Sequence, residues 1–243
     1  MNRTIALCMF FVGFGVLAQD SLRLLPHVPP PRTLFDAWVY LGNQTANPQA
    51  FELLGFRTDG TQLPLASGEL APGEVRRLKS TDLFEDPAPS HFFVRGEIDA
   101  TLEYRSPFSE QLSLFLPEQT LTGDQFRLYC QSWDDVFVGV VVVNLGNNPA
   151  TMMLHQTHFS GEVQKTEILV ENLPVLGKAV FTLGDFLDEA ASSLSCSLTL
   201  ESDQPVMLQI FKGNVPVRDD GSLEVLIPAI TRISLPTATP WDN

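Results

Sequence analysis

Four histidines and three cysteines are the residues of this chain best suited to metal or nucleophilic chemistry, and their spacing limits what they can do. His155 and His158 are the only close histidine pair. A metal ion needs converging ligands, but on an extended segment positions three apart face opposite sides. The two imidazoles therefore diverge, and no metal site is expected. His27 and His91 stand isolated, and Cys130 and Cys196 lack the second close pair of a zinc site. Serine hydrolysis would need a nucleophile, a base and a carboxylate. No Gly-x-Ser-x-Gly elbow is present, and Ser67-Gly68 and Ser160-Gly161 read as turns. Asp134-Asp135 and Glu189 could form a glycosidase-type carboxylate pair only by folding together. The glycine-containing loops have neither the dinucleotide fingerprint nor a Walker lysine. The expectation is a protein that is not an enzyme and takes no cofactor.

Contacts rather than catalysis are the better prospect. Trp133, followed by Asp134 and Asp135, is the preferred candidate for a ligand contact. Trp38 lies on a strand-like segment and is expected in the core, and Trp241 falls in the tail. Asn43-Gln44-Thr45 is a glycosylation sequon, meaningful only in a eukaryotic secretory pathway. Cys130 and Cys196 sit on strand-like stretches of one half of the chain. A disulfide between them would close a loop of about 66 residues, worth roughly 4 kcal/mol if the gain is loop entropy.

The first eighteen residues supply the compartment that such a bridge requires. Arg3 precedes an apolar run from Ile5 to Leu17, and Val16 and Ala18 occupy the −3 and −1 positions of a small-residue cleavage site. This is the layout of a secretory signal peptide, cut before Gln19, which would carry Cys8 away. The run is short for a bilayer span, so no membrane attachment is expected after cleavage. Losing Arg3 leaves 14 basic residues against 29 acidic ones, a net charge of −15. Such a surface repels phosphate backbones and disfavours nucleic acid as a partner. The expected location is extracytoplasmic, either periplasmic or secreted.

The elements that must position these residues come twice. YLGNQTANPQAFELLGFRTDGT, residues 40–61, aligns without a gap on VVVNLGNNPATMMLHQTHFSGE, residues 141–162, at an offset of 101. Asn47-Pro48 falls on Asn148-Pro149 and Asp59-Gly60 on Ser160-Gly161. LAPGEVRRLKSTDLF, residues 70–84, then matches LPVLGKAVFTLGDFL, residues 173–187, with Asp82 on Asp185 at an offset of 103. Repeats fix architecture ahead of residue-level chemistry. Many short alternating segments with turn signals between them indicate strands. Only GDFLDEAASS, residues 184–193, looks helical. The continuous run FVGVVVVNL, residues 137–145, reads as a buried strand.

The expected fold is all-β, two tandem antiparallel Ig-like β-sandwich domains from an internal duplication. The expected boundaries are 1–18 for the signal peptide, 19–112 and 113–230 for the two units, and 231–243 for a tail. Strands are expected near 195–201, 205–212 and 222–228 at the end of the second unit.

The string "apolar-apolar-x-Asn-x-Gly/Thr-x-Asn-Pro", the Asp/Ser-Gly hairpin and Leu70-Ala71-Pro72-Gly73 resemble uncharacterised bacterial extracytoplasmic β-sandwich repeats. Leu24-Leu25-Pro26-His27 resembles their opening strand. The resemblance implies an exported sandwich module and brings no catalytic residues. The functional expectation is an exported, non-enzymatic structural or protein-interaction module with an unknown protein or cell-surface partner. A carbohydrate- or small-ligand-binding module is the alternative.

Overall fold

Ala37, Val39 and Leu41 alternate along one strand, which turns all three side chains to the same side, and all three are buried. The computed structural model describes residues 23–29, 36–64, 66–83, 89–105, 113–118, 122–130, 136–158, 163–186 and 196–214. The residues described are nearly all antiparallel strand. In the first half, β1 (Arg23–Leu25), β6 (His91–Arg95), β3 (Gln49–Phe56) and β4 (Ala66–Leu70) form one sheet in that order. The second sheet runs β5 (Val75–Lys79), β2 (Asp36–Gly42), β7 (Asp99–Arg105), β8 (Ser113–Pro117). Leu25, Phe51, Leu53, Phe92 and Val94 of the first sheet meet Val39, Leu41, Leu102, Tyr104 and Leu116 of the second. The two sheets enclose one apolar core, the arrangement of a sandwich.

The second half repeats this order of neighbours. β9 (Thr122–Cys130), the first part of β14 (Cys196–Asn214), β11 (Ala150–His158) and β12 (Val163–Leu173) lie side by side. β13 (Lys178–Thr182) and β10 (Val136–Asn144) then pair in turn, with the last part of β14 beyond β10. Tyr40 is opposite Arg77 and Val141 opposite Val180, so register follows the offsets of 101 and 103. A helical turn α1 (Ser80–Leu83) and a 3₁₀ turn at Leu183–Phe186 also lie 103 residues apart.

One sequence expectation needs correction. Strands expected near 195–201 and 205–212 are one strand, β14, whose pairing with β9 shifts register between Glu201 and Val206. In the first half β6 and β7 fill the same places and are parted at Gly96, with φ +106°, where a Cβ would strike the Ala50 carbonyl. The segment over 184–193, expected to hold one or two helical turns at most, begins in the 3₁₀ turn Leu183–Phe186, its remainder lying outside the described residues, and the turn of α1 was not anticipated. Residues 113–117, part of the 109–119 segment expected to close the first unit and lead into the second, pair with β7 and place Leu116 in the first core. The expected strand at 222–228 lies outside the described residues.

Asn43 and Asn144 close equivalent turns. Asn43 Nδ2 donates to the carbonyls of Asn47 and Leu70, and Asn144 Nδ2 to those of Asn148 and Leu173. Each Oδ1 accepts from the backbone N–H two residues on, at Thr45 and Gly146. Each side chain so occupies the buried polar groups of its turn. With its amide buried and fully engaged, Asn43 has no group free for a glycan.

The halves share a junction. Val141 and Phe211 join the first core, and Val143 and Met207 pack with Leu24, Phe56 and Phe93. The other face of β10, at Val138, Val140 and Val142, lines the second core. Burial on both faces is why β10 is apolar without alternation. Gly60 tightens this contact: its φ is +82°, and an added Cβ would collide with the Val175 carbonyl across the junction.

Candidate functional site: an aromatic and basic sheet face

The outward positions of the β5-β2-β7-β8 sheet form cross-strand rows. Lys79, Trp38, Glu103 and Phe115 stand in one row, and Arg77, Tyr40 and Thr101 in the next. Strand register alone brings these residues from four separate segments onto one face. The Arg77 guanidinium lies over the Trp38 ring at 3.9 Å and near the Tyr40 ring at 5.5 Å. Tyr40 and Phe115 are 5.8 Å apart, ring to ring.

Polar bonds fix the aromatic groups. The Tyr40 hydroxyl donates to Glu103 Oε2 (2.8 Å), and Arg77 donates to the same oxygen (3.1 Å). Lys79 bonds Asp36 (3.2 Å) at the edge. Burial, then the hydrogen bond and charge of Glu103, raise the Tyr40 pKa, so its hydroxyl remains a donor at neutral pH. Phe115 is 52% exposed and Val75 65% exposed. Trp38, expected in the core, is half-buried on this outer face instead. Both sets of side chains on β2 are large and apolar or aromatic, so alternation could not say which faced inward.

The counterpart face of the second half is covered in part, although Val180, at the place of Arg77, is 54% exposed. Val141 corresponds to Tyr40 and Phe211 to Glu103, and both are buried against the first half. One sandwich thus docks with this face while the other presents it to solvent.

A second group of reactive types meets at the junction. His27 and His91, which looked isolated, come together around Lys178 from β13. Ser90 Oγ is 2.8 Å from His91 Nδ1 and 3.1 Å from the Phe56 carbonyl. No carboxylate is hydrogen-bonded to the group among the described residues, and His91 is fully buried. It lacks the acid and the access of a hydrolytic triad. Sequence reasoning missed this cluster because its members are 151 residues apart at most and come from both halves.

The structure places the remaining candidates plainly. Cys130 and Cys196 are direct partners in the β9–β14 register. Trp133, Asp134, Asp135, Glu189 and Trp241 lie outside the described residues, as do the first eighteen. His155 bonds Thr166 (3.0 Å) and approaches Glu201 (3.1 Å). No cluster of metal-binding side chains occurs among the described residues, and no helix among them is long and apolar enough to cross a membrane. No protein-family model, curated protein or solved structure matches the chain.

Proposed function

We propose that this protein is an exported, non-enzymatic interaction module, built from two copies of one Ig-like sandwich unit, that binds a protein partner through the β5-β2-β7-β8 face. The carrying observation is the uncovered cluster of Trp38, Tyr40, Phe115 and Arg77. Trp, Tyr and Arg dominate the energetic centres of protein interfaces. Here they stand where the second half uses its own face for docking. The duplication is supported by matched registers and by the paired Asn43 and Asn144 turns. Export rests on residues 1–18, and the likeness to bacterial extracytoplasmic repeats agrees with it.

A carbohydrate ligand is the second reading, favoured by aromatic rings on a flat sheet face. Arg77 lies across the Trp38 ring that a sugar would stack on, so the protein reading ranks first. A photo-crosslinking residue at Phe115, with a control at Ile168 on β12, distinguishes them in the exported protein. Discrete protein adducts from position 115 alone, lost in Trp38→Ala and Arg77→Ala, are expected. Adducts from both positions, or none together with retention on polysaccharide gels, would sink the protein reading.

A further inference from the structure

The junction holds ionisable side chains that the exposed face does not use. His27 follows β1, Ser90 precedes β6, His91 opens it, and Lys178 opens β13 of the other half. Lys178 Nζ donates to the Ser90 carbonyl (2.6 Å) and lies 3.1 Å from His27 Nδ1. Only one proton fits between those two nitrogens. The ammonium donates and the imidazole accepts, so His27 is neutral in the closed junction. The Gln209 amide is buried without a hydrogen bond among the described residues, and it shares its side of β14 with Met207 and Phe211.

Among the described residues, the surroundings offer no compensating anion. From β7, the Tyr104 hydroxyl donates to the His27 carbonyl (2.7 Å). The β3–β4 hairpin brings Arg57 and Asp59, both exposed, and the Asp59 carboxylate accepts from the Thr61 N–H. Arg23 on β1 pairs with Glu118, and Arg95 on β6 pairs with Glu52. β10 contributes only apolar side chains, Val141 and Val143. The cluster is therefore three basic groups with no carboxylate bonded to them among the described residues.

We propose that this cluster is an acid-operated latch: it holds the two halves together at neutral pH, and protonation of His27 or His91 beside Lys178 parts them while each half keeps its own sheets. Apart from Val141, Phe211 and the shared cluster of Leu24, Phe56, Phe93, Val143 and Met207, each half has its own core, which is what it would keep when the halves part. Burial and the neighbouring Lys178 charge hold both imidazoles down at about 3, and burial takes Lys178 down to about 7. The Leu176 backbone favours charged His91, too weakly to offset its burial. Opening returns both imidazoles to water and to their ordinary value of 6.5. Protons thus favour the open form increasingly as pH falls from 6.5 towards about 3.

Small-angle scattering with circular dichroism, on the whole chain from neutral to acid pH, tests the latch. The radius of gyration should grow on acidification while the β signal persists. In His27→Gln/His91→Gln the amides can still accept but cannot become cations, so the transition should fall by at least about one pH unit. The latch is wrong if wild type stays compact, if size and β signal change together, or if the double variant opens at the wild-type pH. Should that variant not fold, imidazole NMR on wild type decides. Titration of the two buried rings must coincide with opening, and protonation within the compact form would overturn the proposal.

Discussion

Asn43 and Asn144 show what a single side chain contributes to this fold. Each amide satisfies buried carbonyls in its turn and accepts one backbone N–H. Replacing either by alanine leaves those groups unpaired, and an unsatisfied buried polar group costs about 1–3 kcal/mol. Asn43→Ala and Asn144→Ala should each lower stability by about 2–3 kcal/mol in urea unfolding. A loss under about 0.5 kcal/mol would show that water replaces the amide. The recurring Asn and Asn-Pro were legible in sequence as a pattern. The reason for them was not, because the carbonyls they bind lie as far as 29 residues away. Trp38 shows the opposite failure: a large aromatic residue defaults to the core, and only cross-strand Arg77 reveals its outward place. Arg77→Ala removes a cation–π contact worth about 0.5–1 kcal/mol and the ion-pair partner of Glu103, whose side chain is 7% exposed. The expected loss is about 1–3 kcal/mol by the same unfolding measurement.

Strands, rather than residues, decide which of the readings could succeed. The run in β10 was legible as buried, since β-branched residues without alternation suit a strand covered on both sides. What covers its second face was not legible, because the first half supplies it. The fusion of two expected strands into β14 escaped for a related reason: Asp203-Gln204-Pro205 looks like a break, yet the strand continues from one layer into the other. That path fixes the cysteine register. Directly opposed residues on antiparallel strands have Cα atoms about 4.5–5.5 Å apart, within the range a disulfide spans. A Cys130–Cys196 bridge is therefore expected under the proposed export to an oxidising compartment. Intact mass should be two hydrogens lighter before reduction than after, and alkylation of both thiols in unreduced, denatured protein would refute the bridge. Equivalent strands β1 and β6 carry no cysteines, so a bridge here would be an addition to the second half and not a requirement of the fold.

At the scale of the molecule, the two halves are coupled through Val141, Phe211 and the contacts of Leu24, Phe56 and Phe93. Parting them at neutral pH would expose these side chains, each worth about 1.5–3 kcal/mol when fully buried. Calorimetry near neutral pH should accordingly show one cooperative transition, whereas two resolved transitions would mean that the halves do not stabilise one another. Its pH dependence follows from the junction. His27 and His91 have folded-state values of about 3, below 6.5, so the unfolded chain binds more protons between those limits. Stability is present above 6.5 and is lost as pH falls towards about 3. Lys178, at about 7 against 10.5, makes stability rise again from about 7 to 10.5. Each group contributes a slope of up to about 1.4 kcal/mol per pH unit within its window. Lys178→Met should therefore flatten the rise in melting temperature above neutral pH and leave the acid limb to the histidines. If wild type and Lys178→Met keep parallel curves through the alkaline window, Lys178 is charged and solvated in the folded protein, and the buried junction described here is not its environment.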